Sequence, residues 1–156
     1  MSLRVRRATA ADVERLAPLY RAAYDTAADL GYPNGMQEVT AEYVRGWFDG
    51  APPSAEFAAE RDGDLVGAIR VLEESDVPFL ERVAVAPDAQ GEGIGSRLFA
   101  RAERYAREAG YDRVRLGTFT DHPFLLDFYE SRGYERFTLW ESDDYEHDYV
   151  GYEKRI

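Results

Sequence analysis

Three glycines at alternate positions, Gly91, Gly93 and Gly95, stand between an apolar run that ends in Pro87 and a long helical pattern. Backbone this free of side chains, placed at a helix N-terminus, suits an anion. Several N–H groups can converge on one phosphate, and the helix dipole adds positive potential. Ser96 would bring a hydroxyl in the first turn. Spacing separates the competing readings. A nucleoside-triphosphate loop ends in Gly-Lys-Ser/Thr, but the only lysine of the chain is Lys154. A dinucleotide fingerprint, Gly-x-Gly-x-x-Gly, would put Ser96 or Leu98 where its last glycine belongs. On the loop alone, an ordinary glycine-rich turn from strand to helix stays open. His122 and His147 find no further ligand at metal-binding spacing, and no serine sits in a Gly-x-Ser-x-Gly elbow, so neither a zinc site nor a hydrolase triad is read.

The elements that must position this loop can be read along the chain. "LRVRRAT" is a strand, and Thr9 caps a helix whose Val13, Leu16, Leu19, Tyr20 and Ala23 share one face. Pro18 is expected to kink or shorten that helix. Thr40 opens a second, short helix with Tyr43, Val44, Trp47 and Phe48 on its buried side. A hairpin follows, turning at Asp62-Gly63. "VPFLERVAVAP" is the next strand and leads into the glycine loop. The helix behind the loop carries an apolar stripe of Leu98, Ala102, Tyr105 and Ala109, and Gly110 stops it. "DRVRLGTFT", a short helix in "HPFLLDFYESRGY", and strands in "ERFTLWE" and "HDYVGYEKRI" complete the chain. This order predicts one α/β domain over residues 1–156, with helices on the faces of a mixed sheet.

Gln90-Gly91-Glu92-Gly93-Ile94-Gly95 resembles the [Arg/Gln]-x-x-Gly-x-[Gly/Ala] signature of the GNAT superfamily of acyl-CoA-dependent N-acyltransferases. The preceding Val83, Val85 and Pro87 resemble the end of that family's fourth strand. "FYESRGY", Phe128 to Tyr134, resembles its later Tyr-containing motif. The resemblance is dense from Leu80 to Tyr134 and thin from Ala27 to Ser54. It implies a mostly antiparallel central sheet with helices on both faces, with acetyl-CoA as cosubstrate and no metal. Gln90 to Ser96 would then cradle the pyrophosphate. Two departures stand out: His122 occupies a place where the family often has an Asn that contacts the cofactor arm, and Leu125 one where it favours Ala.

The chemistry the resemblance implies is direct attack of an amine on the thioester. A bulge in the fourth strand would let Val83, Ala84 and Val85 hold the pantetheine arm and offer an N–H to the oxyanion. Tyr129 matches the family's general acid, which protonates the leaving thiolate. An ammonium is only about one part in a thousand neutral at pH 7, so a base helps. Glu81 is the candidate, because strict strand alternation would put it on the face of Val83 and Val85. Glu73, Glu74 and Asp121 are weaker candidates.

Charge and composition bound the partners. The net charge is -11, with 30 acidic against 19 basic residues, which opposes a nucleic-acid partner and favours a cationic small-molecule or peptide amine. No apolar run reaches the roughly 20 residues of a membrane helix. Without a secretory pattern, and with no cysteine to suggest an oxidising compartment, a cytoplasmic location is expected. A homodimer is possible, and no residue pattern decides it. A non-catalytic acyl-CoA-binding module on the same fold is the second reading, although a pure binder would need neither Tyr129 nor Glu81.

Overall fold

A computed structural model describes residues 2–29, 36–50, 52–119, 125–140 and 149–156. Seven strands among these form one sheet: β1 (Leu3–Arg7), β2 (Ser54–Arg61), β3 (Asp64–Leu72), β4 (Phe79–Val85), β5 (Arg113–Phe119), β6 (Glu135–Trp140) and β7 (Tyr149–Arg155). Their spatial order is β1-β2-β3-β4-β5-β7-β6. Every neighbouring pair is antiparallel except β4 and β5. Four helices accompany them: α1 (Val13–Asp29), α2 (Ala41–Gly46), α3 (Ile94–Glu108) and α4 (Leu125–Ser131). No described helix is long and apolar enough to cross a membrane.

Local chemistry sets most element ends. Asp62 and Gly63 both take positive φ, 54° and 86°, the requirement of a two-residue hairpin turn. Thr9 accepts from the Ala11 N–H while Asp12 accepts from the Thr9 N–H, a reciprocal capping box. Thr40 caps α2 through the Tyr43 N–H. Gly110 ends α3 at φ 99°, and the Tyr111 N–H returns to the Ala106 carbonyl.

Three features depart from the sequence reading. Pro18 does not shorten α1, which runs 17 residues through it. The carbonyl it frees, that of Glu14, belongs to an exposed residue, which limits the cost. Tyr43 is 53% exposed rather than buried, although its ring still meets Trp47 edge-on at 6.0 Å. On α3, Ala109 is likewise exposed, and the charged Glu103 is buried with the apolar stripe.

The sheet separates two cores. Alternate side chains of β2 and β3, Ala55, Phe57, Ala59, Ile69 and Val71, pack with Ile94, Leu98, Phe99 and Ala102 of α3. Ala58, Ala68 and Ala84 face the other way, toward Leu16, Tyr20, Val44 and Trp47 of α1 and the α2 region. Small residues in the strands let the helices sit close. At Gly67 a Cβ would stand 2.8 Å from Ile94 Cγ2, so this glycine fixes how near the start of α3 lies to the sheet.

Candidate active site

β4 and β5 run parallel and meet at a single residue pair, Phe79 with Arg115. Past that pair they share no register, and the sheet opens. On its other side β4 pairs with β3 in two registers, Arg70 with Glu81 and then Ala68 with Ala84. Arg82 and Val83 therefore oppose Ile69 alone, which defines a β-bulge. Arg82 takes φ 50°, a left-handed conformation rare for a side chain of its size. The bulge expected from the family resemblance is present, and it falls where the sheet parts.

The bulge changes which residues share a face. Val83 and Val85 pack against the α3 core, while Ala84 packs into the α1 core. Glu81 does not join the valines. Its Oε1 accepts from Arg70 Nη1 at 2.9 Å, and the Arg70 guanidinium lies 5.0 Å over the Trp47 ring, on the α1 side. Strict alternation fails at Arg82 because the extra residue resets the pleat, so the expected common face of Glu81, Val83 and Val85 is corrected.

Arg70 also donates from Nε to Glu56 Oε1 at 3.3 Å, and Ser54 Oγ meets the same oxygen at 2.6 Å. Two carboxylates thus share one guanidinium. Glu56 is 4% exposed, and burial pushes its carboxyl above the ordinary value despite the pull of Ser54 and Arg70 in the opposite direction.

After β4 a turn at Pro87–Ala89 carries the chain into the glycine loop, anchored by the fully buried Ala89. Gly91 and Gly93 both take φ 81°. A Cβ at either would meet nothing within 4 Å, so their backbone conformation, not crowding within the protein, requires glycine. Gly95 is helical. A Cβ there would find Phe128 Cζ at 3.8 Å and Val85 Cγ2 at 4.0 Å, ordinary contacts, which agrees with a signature that admits Ala.

Gly93 is the N-cap of α3 and has no side-chain cap. The Arg97 N–H is bonded to the Gly93 carbonyl at 3.2 Å, so the N–H groups of Ile94, Gly95 and Ser96 precede that first turn of bonding. Ile94 is buried and Ser96 half-buried. Gln90 and Glu92 are exposed, and the Glu92 carboxylate pairs with Arg61 at 2.6 Å. Such an end is a ready anion site.

Tyr129, on α4, is 6% exposed and ringed by Phe99, Phe128, Tyr134 and Tyr152 at centroid distances of 5.7 to 6.1 Å. Burial raises its hydroxyl pKa well above the ordinary tyrosine value, and the hydroxyls of Tyr24 and Tyr152 add to that. No described residue hydrogen-bonds this hydroxyl. Tyr24, on α1, is raised by burial too, and it feels both the opposing charge of Arg82 and the reinforcing charge of Glu81. Glu81 and Arg82 of β4 thus act electrostatically on Tyr24 of α1, and Tyr24 on Tyr129 of α4.

His122 and Asp121 lie outside the described residues. Glu73, a weaker candidate base, is engaged elsewhere: it accepts from Tyr105 Oη at 2.7 Å and Tyr111 Oη at 3.2 Å. Arg70, Glu56, Tyr24 and Arg82 were absent from the sequence reading. Only the bulge and the cross-strand register bring them together.

An opened parallel pair, a bulge beside it and a glycine-led helix start define an acyltransferase-type scaffold. The chain belongs to the acetyltransferase (GNAT) family, whose profile matches residues 14–134. It is 30% identical over 142 residues to the uncharacterized N-acetyltransferase YjgM of Escherichia coli, covering 84% of this chain and 81% of that one. It is 32% identical over 107 residues to mycothiol acetyltransferase of Rhodococcus jostii, covering 65% of this chain. There the chain spans about a third of the relative's length, 35%. The fold superposes with a TM-score of 0.83 on the PaiA N-acetyltransferase of Thermoplasma acidophilum, solved in complex with coenzyme A, at 20% identity over 100% of both chains.

Proposed function

We propose that the chain is an N-acetyltransferase that moves the acetyl group of acetyl-CoA onto a primary amine of a small molecule or peptide. The supporting observation is the placement of an uncapped α3 start, behind two left-handed glycines, next to the bulge where β4 parts from β5. Mycothiol acetyltransferase, named for a small molecule, supports a small-molecule acceptor.

Bound acetyl-CoA would supply a thioester carbonyl as electrophile and a thiolate as leaving group. The backbone of Gln90 to Ser96 would hold the pyrophosphate, with the Ser96 hydroxyl beside it. Glycine at 91 and 93 keeps side chains away from that anion. Val83 to Val85 would align the pantetheine arm, and a backbone N–H freed by the bulge would meet the carbonyl oxygen. His122 would touch the arm. Glu81 would accept the proton that the acceptor ammonium must lose. Its Oε1 is held by Arg70, and its side chain keeps 27% exposure, enough to pass the proton to water.

Tyr129 would give its proton to the departing sulfur. The phenol is protonated at neutral pH, as a general acid must be, and burial raises its pKa further. Tyr129→Phe keeps the ring packing and removes the proton. The expected result is a folded protein with intact acetyl-CoA affinity and a kcat lower by roughly a hundredfold. An activated thioester, whose thiol leaves unaided, should narrow that gap. The measurement is free-thiol release from two thioesters across an amine panel, beside a melting curve. Wild-type kcat in a folded Phe variant, where chemistry limits the rate, would remove Tyr129 from the acid role. No thiol release with any amine would favour a binding module instead.

A further inference from the structure

We infer that Arg82 is a specificity residue that selects acceptors carrying a carboxylate close to the reactive amine, the chemistry of an amino acid. The assignment rests on the transferase reading above and deepens it.

Arg82 differs from its neighbours. Arg70 pairs with Glu56 and Glu81, Arg6 with Asp12 and Glu60, and Arg115 with Glu153. Arg101 and Arg132 also keep a buried nitrogen without a hydrogen bond, but Arg101 lies over the Phe57 ring and Arg132 pairs with Glu103. Arg82 makes no ion pair among the described residues, and its Nε is buried without a hydrogen-bond partner. A buried donor left unmade is costly and uncommon, and in a native protein it asks for an occupant. Arg82 also holds a left-handed backbone at φ 50°. Strain of this kind persists where a site needs a side chain aimed in one direction.

Its surroundings suit an ammonium and a carboxylate together. Glu81, the adjacent residue, does not pair with Arg82; it turns Oε1 to Arg70 instead. No described residue occupies its Oε2. The charges of Glu81 and Arg82 both bear on the Tyr24 hydroxyl, in opposite directions. A guanidinium with free donors binds a carboxylate through two parallel hydrogen bonds. The free oxygen of Glu81 would meet the ammonium that it later deprotonates. The overall negative charge predicts a cationic acceptor; Arg82 keeps the ammonium and adds a local demand for an anion beside it.

The test compares L-amino acids with their carboxamides, read as thiol release from acetyl-CoA by the full chain. The amide keeps the amine and loses the carboxylate charge. In the wild type, kcat/KM should favour the acid by about 10- to 100-fold, the range of a charge-assisted pair. Arg82→Gly accepts the left-handed backbone without strain, and in it the preference should fall close to one, mainly through KM. Arg82→Lys, which keeps charge without the fork, should lie between and serves if the glycine variant melts early. Equal turnover of acid and amide by the wild type would overturn the assignment. So would a preference that survives in folded Arg82→Gly. Binding of acetyl-CoA without transfer to any amine would overturn the transferase reading, and this assignment with it.

Discussion

Two buried carboxylate clusters lie on opposite sides of the sheet, and their balance of charge differs. On the α3 side Glu103 accepts from Tyr134 Oη at 2.7 Å and from Lys154 Nζ at 3.0 Å, with Arg132 at 3.6 Å. One acid there meets two cations and a hydroxyl. On the α1 side Glu56 and Glu81 share Arg70 alone. The first cluster surrounds its one acid with donors and ties α3 to β7 and to the end of α4. The second is short of donors, and one of its acids reaches the open part of the sheet. A structural staple surrounds its acid with partners, whereas a reactive site must keep an acceptor open.

The largest effect of breaking this contrast should follow from Arg70→Met. It leaves Glu56 ionisable, buried and without its cation, which should cost about 3–5 kcal/mol. Arg70→Met with Glu56→Leu replaces both charges by apolar volume and should restore most of that loss. The activity should not return with the stability, because Glu81 has lost the group that orients it. Urea denaturation and acetyl-transfer kinetics on both variants check this. If the double variant were as unstable as the single one, the cost would lie in packing on Trp47 and not in the stranded carboxylate.

Glu103→Gln should have a smaller effect of another kind. The amide oxygen can still accept from Tyr134, but the NH2 then faces Lys154, so the hydrogen bond from Lys154 and the charge attraction to Lys154 and Arg132 are lost. Both cations are partly exposed, with side chains at 24% and 18%, and solvent screens the pair. A loss of about 1–2 kcal/mol is expected, with kcat and KM unchanged. A fall in kcat at constant stability would show that the staple communicates with the site.

Neither cluster was legible from the residues alone. Glu56 and Arg70 are 14 positions apart, Glu103 and Lys154 are 51 apart, and nothing local marks either pair. What the sequence did disclose is chemistry that acts within a few residues: the Asp62-Gly63 turn, the Thr9 and Thr40 caps, the Gly110 stop and the glycine loop. The chain order further implied the sheet with helices on both faces. The bulge is the instructive miss in detail. Family resemblance placed it in the fourth strand, but alternation was still applied across it, which put Glu81 on the wrong face. Arg82 carries no sign of its left-handed backbone, because such positions usually declare themselves as Gly or Asn. Tyr43 was misread because an amphipathic pattern cannot tell a buried ring from one resting on the rim of a tryptophan.

A third carboxylate gives the smallest effect and the cleanest dependence on pH. Asp12 is 4% exposed and closes the capping box of the α1 segment. Its oxygens accept from Arg6 at 2.8 and 2.9 Å, from Arg15 at 3.1 Å and from the Thr9 N–H at 2.9 Å. The hydrogen bonds from Arg6 hold its carboxyl well below the ordinary range, against the opposing pull of burial. A group depressed in the folded state stabilises above its unfolded pKa, near 3.9, and loses that contribution as pH falls through the folded value. Asp12→Asn keeps an acceptor but no charge. It should cost about 1 kcal/mol at pH 7, because the amide oxygen can keep the Thr9 bond and the loss is the charged pairing with Arg6 and Arg15, both partly exposed to solvent. Below about pH 4 the unfolded wild type begins to protonate Asp12 while the folded protein keeps it charged, and the variant has nothing there to protonate, so the gap should narrow as pH falls. Urea melts of both proteins at pH 7, 5, 4 and 3 measure the gap. A gap that stayed constant to pH 3 would assign the loss to altered packing of the amide and not to the charge on Asp12.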